Sequence, residues 1–395
     1  MNKVAQNCNL IMERLEKKHI VAFPGARGRV ILASDTYPGV WLEHVFDGLA
    51  LAGLDQQFSD VALGQIRLFL DNQKPDGQLP AYVLDSSNPY VEPYLVNESA
   101  LVRYTQIQEC VSFIRLCREI CRGNKELLEE CYPKCVKWDG WMERYRMKDG
   151  LIQAYCAFDT GHDNSARFEG ASQSNQGLPV TQCPQNNVAP ITAIDMSAVF
   201  YGGRMALAEM AEELGNQQDA EQWRKKGAAV KKRLFEICYD KQDDFFYDQD
   251  KYGQKIPYRT IAVTALFCEH MLTKQEADRI YLRHFKNSEE FGTPYPFPAV
   301  AVNDPGSRPE HKGNSWSFYS QGLTALRALL WMDDYGYESD LERMMNAWLT
   351  AWTNSVQTPF GQELHPITGE PSGCSSWYTP TMLFYVYAAK RLGYF

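Results

Sequence analysis

Several elements that signal enzyme chemistry are missing from this chain. It has no Gly-x-Gly-x-x-Gly run, no phosphate loop and no Gly-x-Ser-x-Gly element, which removes nucleotide-cofactor and serine-hydrolase readings. No stretch approaches the roughly 18–20 apolar residues of a membrane span, so no membrane partner is expected. The opening residues, Met1-Asn2-Lys3-Val4-Ala5-Gln6-Asn7, lack the apolar core of a signal peptide. Positive charge is short: 40 Lys and Arg stand against 49 Asp and Glu, a net charge of −9. That balance argues against nucleic acid, whose binding needs a concentrated basic surface. No Ser/Gly-rich or Pro-rich linker divides the 395 residues, so a single domain over 1–395 is expected.

The 11 cysteines are an odd number, so complete internal pairing is impossible. Cys110, Cys117, Cys121, Cys131 and Cys135 fall at helix-compatible intervals in apolar surroundings and read as small buried hydrophobes. Neither Cys117/Cys121 nor Cys131/Cys135 has Cys-x-x-Cys spacing or a nearby His, and His19, His270 and His284 have no ligand spacing. No metal and no cofactor are expected. Together these features suggest a cytoplasmic protein.

What is present is helix after helix. Val61, Ala62, Ile66 and Leu70 form one stripe over Phe58 to Leu70, ended by the turn Pro75-Asp76-Gly77. Asn97-Glu98-Ser99 is expected to cap a helix running to Cys121, and Lys125 to Met147 another, with a break near Pro133. Asp195 to Leu214 closes on Gly215-Asn216 and is followed at once by Gln218 to Ile237. The pairing recurs in Thr260 to Met271 with Lys274 to Phe285, and in Ser315 to Met332 with Ser339 to Thr353. Pro380 to Leu392 is the last helix. About ten to twelve helices joined by alternating short and long connections indicate an all-α toroid. An α-solenoid would show a sequence period that is absent here.

Two polar loops interrupt the helices: Asp159-Thr160-Gly161-His162-Asp163-Asn164-Ser165-Ala166-Arg167-Phe168 and Gln362-Glu363-Leu364-His365-Pro366-Ile367-Thr368-Gly369. Acids on separate loops of a rigid scaffold suit acid/base cleavage of a glycosidic bond. Asp163 is the candidate acid and Glu363 the candidate base. His162, Asn164 and Arg167 are near enough in sequence to orient the acid or bind sugar hydroxyls. Trp41, Trp316, Trp377, Tyr378, Tyr295 and Phe297 lie in or beside expected loops, where rings offer platforms for the apolar faces of sugars. Glu43, His44 and Asp47 follow Trp41 where a helix begins, and Gln73, Gln106 and His365 add polar groups. Each feature has a plainer reading: Asp163-Asn164-Ser165 as a helix cap, Glu363 as a solvated loop residue, Gln73–Gly77 as an ordinary turn.

From about Trp41 to the C-terminus the chain resembles the (α/α)6-barrel glycoside hydrolases of the family 63 type, which include processing α-glucosidase I, mannosylglycerate hydrolases and trehalases. Gly161-His162-Asp163-Asn164-Ser165-Ala166-Arg167 is similar to the Gly-x-Asp-x-Ser-x-Arg element of the general acid, and Glu363 to Gly369 to the Glu-x-x-x-x-Thr-Gly element of the general base. Ile194-Asp195-Met196 resembles a helix start of these enzymes. Gly292 to Pro298, with Tyr295, and Gly313-Asn314-Ser315-Trp316 resemble substrate-lining segments. The family has Trp-Asp-x-x-Phe where this chain has Leu42-Glu43-His44-Val45-Phe46. It has Trp-Arg-Gly-Pro-x-Trp where this chain has His311-Lys312-Gly313-Asn314-Ser315-Trp316, and Lys312 lacks the planar fork of Arg. The resemblance implies a six-hairpin (α/α)6 toroid without a β-sandwich domain, and an inverting, exo-acting α-glycosidase for a small α-glucoside or α-mannoside, including glycosylglycerates. The rival readings are an epimerase or lyase on a similar toroid, with His moving the proton, and a catalytically silent sugar-binding protein.

Overall fold

Helices of two kinds alternate along the chain in the computed structural model, which describes residues 2–96, 99–355 and 359–395. Ile194–Glu213 is buried around most of its circumference. Its successor, Gln217–Ile237, buries only Ala220, Gly227, Val230 and Leu234. A helix apolar all round must be wrapped by others, whereas a one-sided helix covers it and faces water. The short turn between them, with Gly215 at φ +85° and the Asn216 side chain accepting from the Asp219 amide, forces the two to pack antiparallel.

The same alternation pairs Val45–Leu54 with Ser59–Asp71, and Phe113–Cys121 with Lys125–Tyr145. Thr379–Arg391, buried over most of its length, packs on Val45–Leu54 and so brings the end of the chain back to its beginning. Lys3–Arg14, which the sequence reading did not single out, lies outside Thr379–Arg391 and Glu338–Asn354. No helix among the described residues is long and apolar enough to cross a membrane.

Three expectations need correction. Lys125–Tyr145 runs through Pro133 without a break, held by burial of Cys131, Cys135 and Trp138 on one face. The helix expected from Asn97-Glu98-Ser99 starts only at Phe113, capped by Ser112; Asn97 and Glu98 lie outside the described residues. In its place Val102–Arg103 pairs with Tyr82–Leu84, which also pairs with Gly39–Trp41. The helix expected over Ser315 to Met332 shrinks to Gly322–Arg327 and a turn at Ala328–Leu330. Asn314, at φ +52°, turns the chain out of helical geometry, and Ser320–Gln321 pairs antiparallel with Glu363–Leu364. The last two corrections replace a local helix by a long-range strand pair, and both build the end of the molecule that carries the polar loops.

The first of those loops is anchored from below by Asp159, which is wholly buried. Its Oδ1 accepts from the Ile107 amide at 2.9 Å and its Oδ2 from the Tyr155 amide at 2.8 Å, while Arg146 Nη1 donates to Oδ2 at 2.6 Å. One carboxylate thus stitches the 105–110 and 155–163 segments together. Asp159→Asn leaves the Arg146 charge buried without its anion, so a loss on the order of 3–5 kcal/mol is expected in urea denaturation. A loss below about 1 kcal/mol would mean that the loop is ordered by something else.

Candidate active site

Tight backbone geometry sets the first loop. Gly161 turns at φ +64°, and a Cβ there would overlap the Glu43 carboxylate and crowd Cys110. Glu43 therefore packs directly against the loop two residues before Asp163. Arg167, fully buried, donates to Asp195 and, at 3.1 Å, to Asp248, which fixes the far end of the loop. His162 stacks on Trp316 with ring centroids 4.2 Å apart.

One short segment then reaches both candidate carboxyls. Trp316 N donates to Asp163 O at 3.0 Å, and Asn314 Nδ2 donates to Asp163 Oδ2 at 2.6 Å. The next amide, Ser315 N, donates to Glu363 Oε1 at 2.7 Å, where Gln321 Nε2 adds a second bond at 3.0 Å. Gln362 Nε2 closes the arrangement on Asn314 Oδ1 at 2.7 Å. Each carboxyl keeps a second oxygen, Asp163 Oδ1 and Glu363 Oε2, sheltered from solvent with no hydrogen-bond partner.

Asp163 lines a cavity with about 370 Å³ of empty space, together with Trp41, Glu43, His44 and Trp316. With Tyr378, six of the residues singled out in the sequence meet there. Glu363 is buried and is not among the lining residues, whereas its chain neighbour Gln362 is. His44 is set by Asp47 Oδ2 at 2.8 Å on one ring nitrogen and by the Tyr378 hydroxyl at 3.3 Å on the other. Asp47 thus acts from behind.

Other expected contact residues are elsewhere. Gln73 donates to the carbonyls of Gly77 and Lys134, both at 2.9 Å, and is part of a turn. Arg167 and Asp195 pair with each other beneath the loop, and Asn164 donates to Asn314 O at 3.0 Å rather than lining the cavity. Tyr295 packs over Gly369. His365 Nδ1 takes the amides of Ile367 and Thr368, both at 3.2 Å, and closes the turn after Glu363. Trp377 lies under Arg14, 4.1 Å from its ring centroid. Lys312 and Gly313 are exposed and outside the cavity lining, and Gln106 lines the neighbouring groove.

The cavity is completed by residues that the sequence did not single out as contacts, among them Tyr37, Gln108, Asn314, Leu323 and Gln362. Asn314 and Gln362 sit inside the recognisable segments. Tyr37, Gln108 and Leu323 carry no local signal.

Residues 37–381 match the mannosylglycerate hydrolase MGH1-like glycoside hydrolase domain. The chain belongs to this family. A GH63 mannosylglycerate hydrolase from Thermus thermophilus, solved with glucose, superposes with a TM-score of 0.74 at 17% identity, covering 96% of this chain and 99% of that one. The same enzyme with Tris and D-glycerate gives 0.72 at 17% identity over 97% and 99%. The neutral trehalase of Saccharomyces cerevisiae gives 0.64 at 14% identity, over 92% of this chain and 73% of its own. These likenesses establish a shared fold. An uncharacterized protein of Borreliella burgdorferi is 20% identical over 198 residues, which is 50% of this chain and only 37% of that protein.

The electrostatics of the candidate site separate its two carboxyls. Burial, and then the nearby Glu43 charge, push Asp163 up to about 8, against which the Asn314 bond pulls only partly. Burial also raises Glu363, but Gln321 and the nearby Ser372 draw it back down. Because the folded value of Asp163 lies above its unfolded one, the stability it allows is complete below about pH 4 and is lost as pH rises to about 8. Asp163→Asn is therefore expected to gain in denaturation midpoint over the parent protein across that window and to level off above it. Glu43→Gln, by removing the neighbouring charge, is expected to bring the levelling point to lower pH. A difference between parent and Asp163→Asn that does not vary with pH would mean that Asp163 titrates as in water.

Proposed function

We propose that this protein is an inverting, exo-acting α-glycosidase that hydrolyses a small α-glucoside or α-mannoside, with Asp163 as general acid and Glu363 as general base. The observation that carries the reading is the pair of sheltered carboxyls, tethered to one segment and each with one unpartnered oxygen beside a ring-lined cavity. A carboxyl held up to about 8 is protonated at neutral pH and has a proton for the leaving oxygen. Glu363, with two donors on Oε1, is the better anion and can take a proton from water. Water then attacks the anomeric carbon from the face opposite the leaving group, and the configuration inverts.

The alternation of buried and covering helices supports a six-hairpin (α/α)6 toroid formed by one catalytic domain. The eleven cysteines, none of them disulfide-bonded, fit a cytoplasmic setting. A small carbohydrate is the expected partner, and no cofactor enters the chemistry.

Asp163→Asn and Glu363→Gln are each expected to lower kcat by roughly 10²–10⁴-fold while the circular dichroism spectrum is kept. Proton NMR of the first product formed should show the β-anomer from an α-glycoside. Near-parental turnover in either variant would remove that residue from the reaction, and initial release of the α-anomer would replace inversion by retention.

A further inference from the structure

Among the described residues, no Lys or Arg side chain lines the cavity. Its lining combines the acids Glu43 and Asp163 with the amides of Gln108, Asn314 and Gln362 and a set of rings. Both ring nitrogens of His44 are engaged by Asp47 and Tyr378. Arg327 is not among the lining residues; its Nη2 lies 3.4 Å from the carbonyl of Glu43, its Nε has no partner and its charge acts on the Glu43 carboxyl, while Lys312 is exposed outside the lining. A carboxylate on the leaving group would lose hydration here beside Glu43 with no Lys or Arg in the lining to pair with, which is costly. A sugar hydroxyl meets acceptors and amides that suit it.

Beside the cavity runs a second groove with about 1200 Å³ of empty space. The two share a partition. Trp41, which faces the cavity, stacks on Tyr82, which faces the groove, with centroids 5.2 Å apart and planes 16° apart. Gln106 on the groove side donates to Gln108 on the cavity side at 2.6 Å. The groove offers amides from Gln78, Gln106 and Asn175 beside the rings of Tyr82 and Tyr104. Asn175 is 3% exposed, and its Nδ2 is spent on the carbonyls of Leu178 and Pro179. Its Oδ1 is buried and has no donor. The cation in the groove, Lys74, donates to Gln78 Oε1 at 3.0 Å and lies over the Tyr104 ring, with Asp76 in the same lining.

We propose that the leaving group is an uncharged sugar chain that passes over the Trp41–Tyr82 partition into this groove, so that the preferred substrate is a neutral α-linked oligosaccharide and not a glycosylglycerate. This rests on the glycosidase reading above and narrows its substrate. The chemistry is unchanged: water adds across the glycosidic bond, and the neutral chain leaves with the proton from Asp163.

The test compares kcat/KM for three kinds of α-glucosides and α-mannosides: the glycosylglycerate, the glycosylglycerol in which the carboxylate is replaced by a hydroxymethyl group, and di- and trisaccharides of each linkage. The glycerol compound is expected to exceed the glycerate by at least about tenfold, and the best trisaccharide to exceed its disaccharide by a similar factor. Gln106→Ala is expected to reduce that trisaccharide advantage, taken as the ratio of the two rates, by about fivefold or more, with the circular dichroism spectrum reporting its fold. A glycerate cleaved as well as its glycerol counterpart, or a trisaccharide no better than its disaccharide, overturns the proposal and leaves the hydrolase reading standing. If nothing is cleaved, the hydrolase reading falls. Calorimetric titration of Glu363→Gln then decides the groove: tighter binding of the trisaccharide than of the glycosylglycerate supports it, and the reverse order overturns it.

Discussion

The side chain of Asn314 and the backbone amides of Ser315 and Trp316 hold the two candidate carboxyls to one piece of chain, and the rest of the site depends on that tether. Asn314 donates to Asp163 and accepts from Gln362, so that a single amide couples the loop of one acid to the loop of the other. Ser315 and Trp316 contribute main-chain donors to Glu363 and to the Asp163 carbonyl. Main-chain donors are stiffer than side chains and hold direction without a rotamer cost. A relative position fixed in this way is what two groups acting on one bond require.

Fixing carboxyls away from water has an electrostatic consequence. Each buried acid must be neutralised, paired or hydrogen-bonded, and the chain uses different solutions for neighbouring groups. Asp159 is paired with Arg146 and surrounded by amides, and it serves as an anchor. Asp163 has one donor and an acidic neighbour, Glu43, which favours its neutral form. Glu363 has more donors and a weaker push. Carboxyls in one small region are thus held in different states by their surroundings alone, the kind of separation that the proposed acid and base roles require near neutral pH.

Periodicity made the helices legible, because an inner helix is apolar all round and an outer one on a single stripe. Ile194–Glu213 and Gln217–Ile237 fall within a residue or so of where the pattern puts them. The stretches before Phe113 and Gly322 have the local pattern of helix but pair as strands, because their partners, Tyr82–Leu84 and Glu363–Leu364, are distant in sequence. Local propensity carries no information about such pairs. The same limit applies to the cavity. Asp163, Glu43 and Trp316 stand in recognisable segments, whereas Tyr37, Gln108 and Leu323 become neighbours only through the fold. Polar residues inside a motif also mislead: Arg167 and Asp195 have the chemistry of a binding pair but satisfy each other beneath the loop.

The departures from the family pattern follow from the same geometry. Asn314 stands where the related enzymes have Pro, and its φ of +52° is closed to a proline ring, which holds φ near −65°. Proline there has no side-chain amide to give, so the bond to Asp163 and the bond from Gln362 depend on Asn314. The backbone donors from Ser315 and Trp316 do not depend on side-chain identity, and they hold the acids in place while the residues around them change. Two positions earlier, Lys312 replaces the family's Arg and is exposed, away from the cavity. A turn altered at Asn314 and a cation absent from the cavity wall thus belong to one short segment. Its backbone retains the carboxyl pair, while its side chains change the charge presented to whatever the pair acts on.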